Sequence, residues 1–243
     1  MSFVKILCIA GSIFAATHCG NTGIYDEATT NYVRIVRSGL NEWYPLNGNL
    51  SSKIGSAAGT ATGSYSAGAN RAGESGKAVC LTSSPAVLLD FGTSTSVGTA
   101  PFTIAVWMKL DVLPGVPKSI LQKGSQSTAW YGFKIEANAA TSFPLTFGNG
   151  PGSDQTLTLN SPAAGVWYYF VFSYGNGVGS FYAGKYGGSL VTVASMAGSY
   201  LPDPTPRPLQ IFTAALDGCA DDMVHYNRVL SFDEVKQNFL SVE

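Results

Sequence analysis

Charge is scarce in this chain. Asp, Glu, Lys and Arg make up 12% of its 243 residues, about half the usual share of roughly 25%. Lys and Arg number 14 against 15 Asp and Glu, which leaves a net charge of -1. Without a basic surplus to neutralise phosphates, a nucleic-acid binder is disfavoured. Histidine is scarcer still: His18 and His225 are the whole supply. A Ser/His/Asp site or a zinc site in the folded part would rest on His225 alone, a strand histidine whose ordinary role is structural. No G-x-S-x-G string occurs. Long apolar runs are missing too. Ile6–Ala16 spans eleven residues, short of the roughly 20 that cross a bilayer.

What is abundant points the other way. Hydrophobic residues reach 45% and aromatics 12%, with 28 Gly and 12 Pro. That composition buries a core and turns often, as β-rich proteins do. Thirteen short segments read as strands, from Glu42–Leu46 through Phe102–Leu110, Tyr131–Glu136 and Trp167–Tyr174 to Ala220–Tyr226. Each is β-branched or aromatic and bounded by Gly, Pro, Asn or Ser. In Phe102–Lys109 one set, Phe102, Ile104, Val106 and Met108, alternates with another, Thr103, Ala105, Trp107 and Lys109. Residues 55–76 are low in complexity and read as a long loop within one core. The one helix expected lies at the end, where Ser231-Phe232-Asp233-Glu234 has capping-box spacing and Phe232, Val235 and Phe239 form an apolar stripe. The fold expected is an all-β, two-sheet antiparallel sandwich with a short C-terminal helix.

The first residues carry an address. Lys5 followed by the apolar run fits a secretory signal. Ala16-Thr17-His18-Cys19-Gly20-Asn21 resembles a bacterial lipobox, with His18 departing from its usual small residue. Two processings fit: lipidation of Cys19, or cleavage after Ala16 with a free Cys19. The first implies an exported lipoprotein anchored to a bacterial membrane. The organisation expected is a leader at 1–19, a tether at 20–38 and one domain at 39–243. Cys8 leaves with the leader and lipidation consumes Cys19, so Cys80 and Cys219 remain as an even pair in a disulfide-permissive compartment, either bridged or as two buried thiols.

Trp43-Tyr-Pro-Leu-Asn-Gly-Asn49, Gly76-Lys77-Ala78-Val79 and Phe102–Lys109 resemble, in order, the core strands of laminin-G-like jelly rolls in the concanavalin A-like lectin/glucanase superfamily. The most specific match is Asp217-Gly218-Cys219-Ala220-Asp221-Asp222 through Tyr226-Asn227-Arg228 and Ser231 to Glu234, which is similar to that family's closing strand and helix. The resemblance implies a jelly roll whose first and last strands lie close together. It also implies a structural calcium ion at Asp221, with Asp222 as the second candidate. Where relatives carry an Asp after the Gly-Asn pair, this chain has Ser51-Ser52-Lys53. The alternative is that both carboxylates accept hydrogen bonds with no metal.

Glycan cleavage needs two carboxylates about 5 to 9.5 Å apart. Hydrolases of the superfamily carry them as E-x-D-x-x-E on one strand, and this chain has no such string. Sugar binding would use exposed aromatic faces, for which Trp130 and Tyr131, after a polar loop, are the candidates, with Tyr182, Tyr186 and Tyr200 near Gly-rich turns. Trp43, Trp107 and Trp167 read as core. The function expected is non-catalytic recognition of a glycan or extracellular-matrix glycoprotein. The other classes are a glycoside hydrolase or lyase with an unfamiliar site, and an envelope module that binds another protein.

Overall fold

The computed structural model of the chain describes residues 24–27, 30–55, 57–82, 88–92, 101–126, 130–138, 141–149, 154–200, 207–212 and 215–241. The leader 1–19, and with it the lipid attachment expected at Cys19, lies outside the described residues. Among those described, no helix is long and apolar enough to cross a membrane.

The chain divides into two compact units, one made of its ends, up to Val36 and from Phe232, the other of Arg37–Ser231. In the first unit, β1 (Ile24–Glu27) and β2 (Thr30–Val33) form an antiparallel hairpin. Four-residue strands are too short to show alternation in the sequence, which is why this stretch reads as a tether. Helix α1 (Phe232–Leu240) begins one residue after Ser231, where the capping-box spacing places it. It is tied to the segment after β2 by Val36 N–H donating to Asn238 Oδ1 at 2.8 Å and by Gln237 Nε2–H donating to the Arg34 carbonyl at 2.7 Å.

The second unit contains β3 (Leu40–Tyr44), β4 (Thr60–Thr62), β5 (Ser66–Gly68), β6 (Ala78–Leu81), β7 (Leu88–Asp90), β8 (Phe102–Leu110), β9 (Lys118–Gln126) and β10 (Trp130–Ala137). It continues with β11 (Ser142–Asn149), β12 (Gln155–Asn160), β13 (Trp167–Gly175), β14 (Val178–Lys185), β15 (Leu190–Ala197), β16 (Leu209–Ile211) and β17 (Gly218–Tyr226). Seven of them form one antiparallel sheet in the order β12-β11-β10-β9-β16-β7-β4. The second sheet runs β15-β14-β13-β8-β17-β6-β5. β17 is long enough to serve two partners on one side: Gly218–Ala220 pair with β6, and Met223–Tyr226 pair with β3. The first and last core strands are therefore neighbours, as the resemblance implies. The low-complexity stretch is not all loop. β4 and β5 come from it and pair with β7 and β6, so its short Thr- and Ala-bearing pieces are ordered by their partners rather than by their own propensity.

The core between the sheets is aromatic. Phe172 of β13 sits 5.4 Å from Phe102, 5.2 Å from Phe133 and 5.4 Å from Phe147, centroid to centroid. Offset and edge contacts of this kind add to plain area burial. β8 is buried on both faces, so its two alternating sets both pack. Trp43, Trp107 and Trp167 are buried, as read from the sequence. Cys80 of β6 stands directly opposite Cys219 of β17, 4.0 Å apart at Cα, and the two are bridged by a disulfide. Gly68 of β5 passes so close to the Cys80 sulfur that a Cβ there would collide with it.

Candidate functional site

Polar residues on one face of a sheet count as a site only when the register brings them together. Here it does. Along β7, β9, β10, β11, β12 and β16 the residues pointing into the sandwich are mostly apolar, among them Leu89, Leu121, Phe133, Ile135, Leu145, Phe147, Leu157 and Ile211, with Lys123 of β9 as a charged exception. The alternate positions point outward. On that outward face Gln210 of β16 pairs with Asp90 on one side and with Gln122 of β9 on the other. Gln122 pairs with Lys134 of β10, Lys134 with Thr146 of β11, and Thr146 with Thr156 of β12. Thr60 of β4 pairs with Asp90 at the other end. One row of seven polar side chains thus crosses all seven strands. At a strand spacing of about 4.8 Å the row is about 29 Å long.

Its members contact one another. Gln122 Nε2–H donates to Gln210 Oε1 at 3.2 Å, and Gln210 Nε2–H points at Asp90 Oδ2, 3.5 Å away. Asp90 Oδ1 accepts the Gly92 N–H at 2.7 Å, which fixes the carboxylate. The Thr146 and Thr156 hydroxyls are 3.4 Å apart, and Lys134 Nζ lies 3.0 Å from Glu136 on the next outward position. A glutamine amide carries two donors and two acceptor lone pairs, so each leaves hydrogen-bonding capacity beyond these contacts. Adjacent sugar hydroxyls present donors and acceptors in the same alternation. Two carboxylates, Asp90 and Glu136, lie on this face, but on strands three apart. That places them about 14 Å or more from each other, too far to flank one glycosidic bond.

The sequence candidates fall partly on this sheet. Trp130 opens β10, and Tyr131 follows, paired with Ser125 and Asn149. Tyr131 alternates with Phe133 and Ile135, the inward set, and is half-buried. Tyr200 is buried against Phe102 and Tyr174, while Tyr186 is exposed. A separate cavity of about 340 Å³ is lined by Leu159, Val166, Tyr168, Lys185 and Val191. Its Tyr168 hydroxyl already accepts the Ala163 N–H at 3.0 Å.

Asp221 and Asp222 sit elsewhere, on β17 in the other sheet. Consecutive strand residues normally face opposite ways. A bulge between Asp221 and Val224, with Asp222 at φ 42, turns both carboxylates to one side. There they meet Arg71, which lies in the low-complexity stretch. Arg71 Nη1 is 2.5 Å from Asp221 Oδ2, and Nη2 is 2.8 Å from Asp222 Oδ2. The guanidinium lies 4.9 Å from the Trp107 ring, and Trp43 Nε1–H donates to Asp222 Oδ1 at 3.2 Å. All three groups are buried, and with both carboxyls ionised one negative charge would be in excess. Burial and the Asp222 carboxylate push the Asp221 carboxyl up to about 8, against the pull of Arg71. Asp221 Oδ1 has no partner among the described residues. This donor set does not fit a calcium ion, because a guanidinium already occupies the space between the carboxylates. Sequence reading missed Arg71 because nothing in a Gly- and Ala-rich stretch marks it as a partner for residues 150 positions away.

A third polar group lies between the sheets. His225 Nδ1 is 3.9 Å from Glu42 Oε2 and 3.4 Å from Asn41 Nδ2. Glu42 Oε2 and His225 Nε2 are buried with no hydrogen-bond partner among the described residues. Lys123 faces inward from β9 and donates to the Arg207 carbonyl at 2.9 Å. Burial pushes the Glu42 carboxyl up to about 7 and the His225 imidazole down to about 4. His225 is thus a neutral core residue, remote from solvent.

Residues 82–236 match the sequence profile of this sandwich class. The chain belongs to the concanavalin A-like lectin/glucanases superfamily. Solved structures of other proteins resemble it at low identity. Domain 4 of the GH43 extracellular arabinanase AbnA from Geobacillus stearothermophilus, in complex with arabinotriose, aligns with TM-score 0.58 and 16% identity over 84% of this chain and 98% of that one. A Trypanosoma rangeli sialidase mutant displaying trans-sialidase activity aligns with TM-score 0.58 and 16% identity, over 86% of this chain and 35% of the sialidase. The binding domain of botulinum neurotoxin DC, in complex with SialylT, gives TM-score 0.63 and 12% identity over 84% and 52%. The chain therefore spans about a third of the sialidase and about half of the toxin fragment. At these identities the likeness shows the shared concanavalin A-like fold. No curated protein matches the sequence.

Proposed function

We propose that the protein is a non-catalytic recognition module that binds a glycan, free or on a matrix glycoprotein, across the outward face of the seven-stranded sheet. The observation that carries this reading is the row of Thr60, Asp90, Gln210, Gln122, Lys134, Thr146 and Thr156, brought into register on adjacent strands. Its amides and hydroxyls suit sugar hydroxyls, and its length of about 29 Å suits an extended oligosaccharide better than a single sugar. Trp130, which opens β10, belongs to this proposal as the aromatic contact, on the strength of its place after a polar loop. The wide separation of Asp90 and Glu136 supports binding without cleavage. Structures that share the fold and were solved with arabinotriose and with SialylT support a carbohydrate partner. Display at a bacterial membrane through lipidated Cys19 belongs to the same proposal and rests on the lipobox resemblance. A screen of the purified protein against immobilised neutral and sialylated oligosaccharides tests the reading. Retention of at least one oligosaccharide, weakened by Gln210→Ala, is the expected result. Retention of none would overturn it.

A further inference from the structure

The two adjacent aspartates of β17 pose a chemical question. The bulge at Asp221 and Asp222 aims two carboxylates at one point inside the protein. Such a cluster needs a cation or a proton, since ionised buried carboxylates without a partner are strongly destabilising. We infer that Arg71 is a built-in cation occupying what is otherwise a divalent-cation pocket, so the fold is independent of calcium and removal of the guanidinium opens a latent calcium site.

Four observations carry the inference. The Arg71 side chain is 1% exposed and spans both carboxylates, at 2.5 and 2.8 Å. It is held over the Trp107 ring at 4.9 Å, a fixed seat rather than a chance contact. Asp222 is locked from the other side: its Oδ1 accepts the Trp43 indole N–H, and its backbone N–H donates to the Pro45 carbonyl at 3.2 Å. Asp222 therefore keeps its place when the guanidinium is removed. Finally, Asp221 Oδ2 and Asp222 Oδ2, the two oxygens that Arg71 spans, belong to the same pair of carboxylates as Asp221 Oδ1, which has no partner among the described residues. Three carboxylate oxygens, completed by water, are a donor set that calcium accepts. Magnesium, with its stricter octahedral demand, suits this set less well.

The test uses thermal unfolding of the intact protein in 5 mM calcium chloride and in 5 mM EDTA. The wild type is expected to melt at the same temperature in both, within about 1 °C. Arg71→Ala is expected to lower the melting temperature in EDTA by about 6 to 20 °C, with at least a third of the loss restored by calcium and less by magnesium. Arg71→Lys, which keeps one positive charge, is expected to fall between the two and to gain nothing from calcium. If Arg71→Ala does not fold, refolding with and without calcium replaces the melt, and soluble protein only with calcium supports the inference. A wild-type melting temperature that falls in EDTA, with the fall absent in Asp222→Asn, would overturn it. So would an Arg71→Ala protein that calcium neither stabilises nor helps to fold.

Discussion

The pair Glu42 and His225 makes a prediction that single pKa values would hide. The folded protein keeps Glu42 protonated up to about 7 and His225 neutral down to about 4, both through burial, with Lys123 lowering each. Their ordinary values are 4.5 and 6.5. Glu42, with its raised pKa, contributes stability that is full below 4.5 and lost as pH rises through 7. His225, with its lowered pKa, contributes stability that is full above 6.5 and lost as pH falls through 4. Between pH 4.5 and 6.5 the folded pair is neutral carboxyl and neutral imidazole, and the unfolded pair is carboxylate and imidazolium. Each state holds one proton, so the pair adds no slope to stability there. Removing either partner uncovers the other. Over those two pH units, at 1.36 kcal/mol each, His225→Gln should lose about 3 kcal/mol relative to wild type as pH rises, and Glu42→Gln should gain about 3 kcal/mol. The two residues are 1% and 5% exposed, so solvent screening takes little from these figures. Urea unfolding of the three proteins at pH 4.5, 5.5 and 6.5 measures the differences, and slope from other groups, Asp221 included, cancels in them. Parallel profiles for all three proteins, or two variants that move in the same direction, would refute the reasoning.

Other expectations follow from the core and the bridge. Phe172→Ala empties the centre of the aromatic cluster and should cost about 3–5 kcal/mol, a fall of roughly 6–20 °C in Tm by calorimetry. Replacing Cys80 and Cys219 together by Ala releases a link between residues 139 apart in sequence; the chain-entropy model gives a loss of about 5 kcal/mol, read as a lower urea midpoint. Gly68→Val should hinder closure of that bridge, because a side chain there meets the Cys80 sulfur, and free-thiol titration should show a reduced fraction of disulfide. Lys185→Ala, at the separate cavity, should leave oligosaccharide binding unchanged in the same assay that detects loss in variants of the polar row.

The fold was largely legible in the residues, and the site was not. Alternation in Phe102–Lys109, the closing motif from Asp217 and the capping box at Ser231 each report a local rule that the structure obeys. β4 and β5 escaped because Thr60–Thr62 and Ser66–Gly68 are strands only by virtue of β7 and β6 beside them. The two aspartates were visible, but not their bulge or Arg71, since a bulge is a property of pairing and Arg71 arrives from a stretch with no periodicity. The polar row is legible one strand at a time: Gln122 after Leu121, Lys134 between Phe133 and Ile135, Thr146 between Leu145 and Phe147. Its continuity depends on register across seven strands, and register is set by turns and packing that no single strand encodes. Trp130 and Tyr131 were chosen for exposure after a polar loop. They open the strand that carries Lys134 of the row, and Tyr131 falls in its inward set.

The most direct test of the account is the affinity of an oligosaccharide retained in the screen for the wild type and for Gln122→Ala with Gln210→Ala, measured by isothermal titration in calcium and again in EDTA. Two side chains that each lend a hydrogen bond of about 0.5–1.5 kcal/mol should together weaken binding about 5- to 150-fold, with folding unchanged and no difference between calcium and EDTA. Full affinity in the double variant, or binding that vanishes in EDTA, would contradict it.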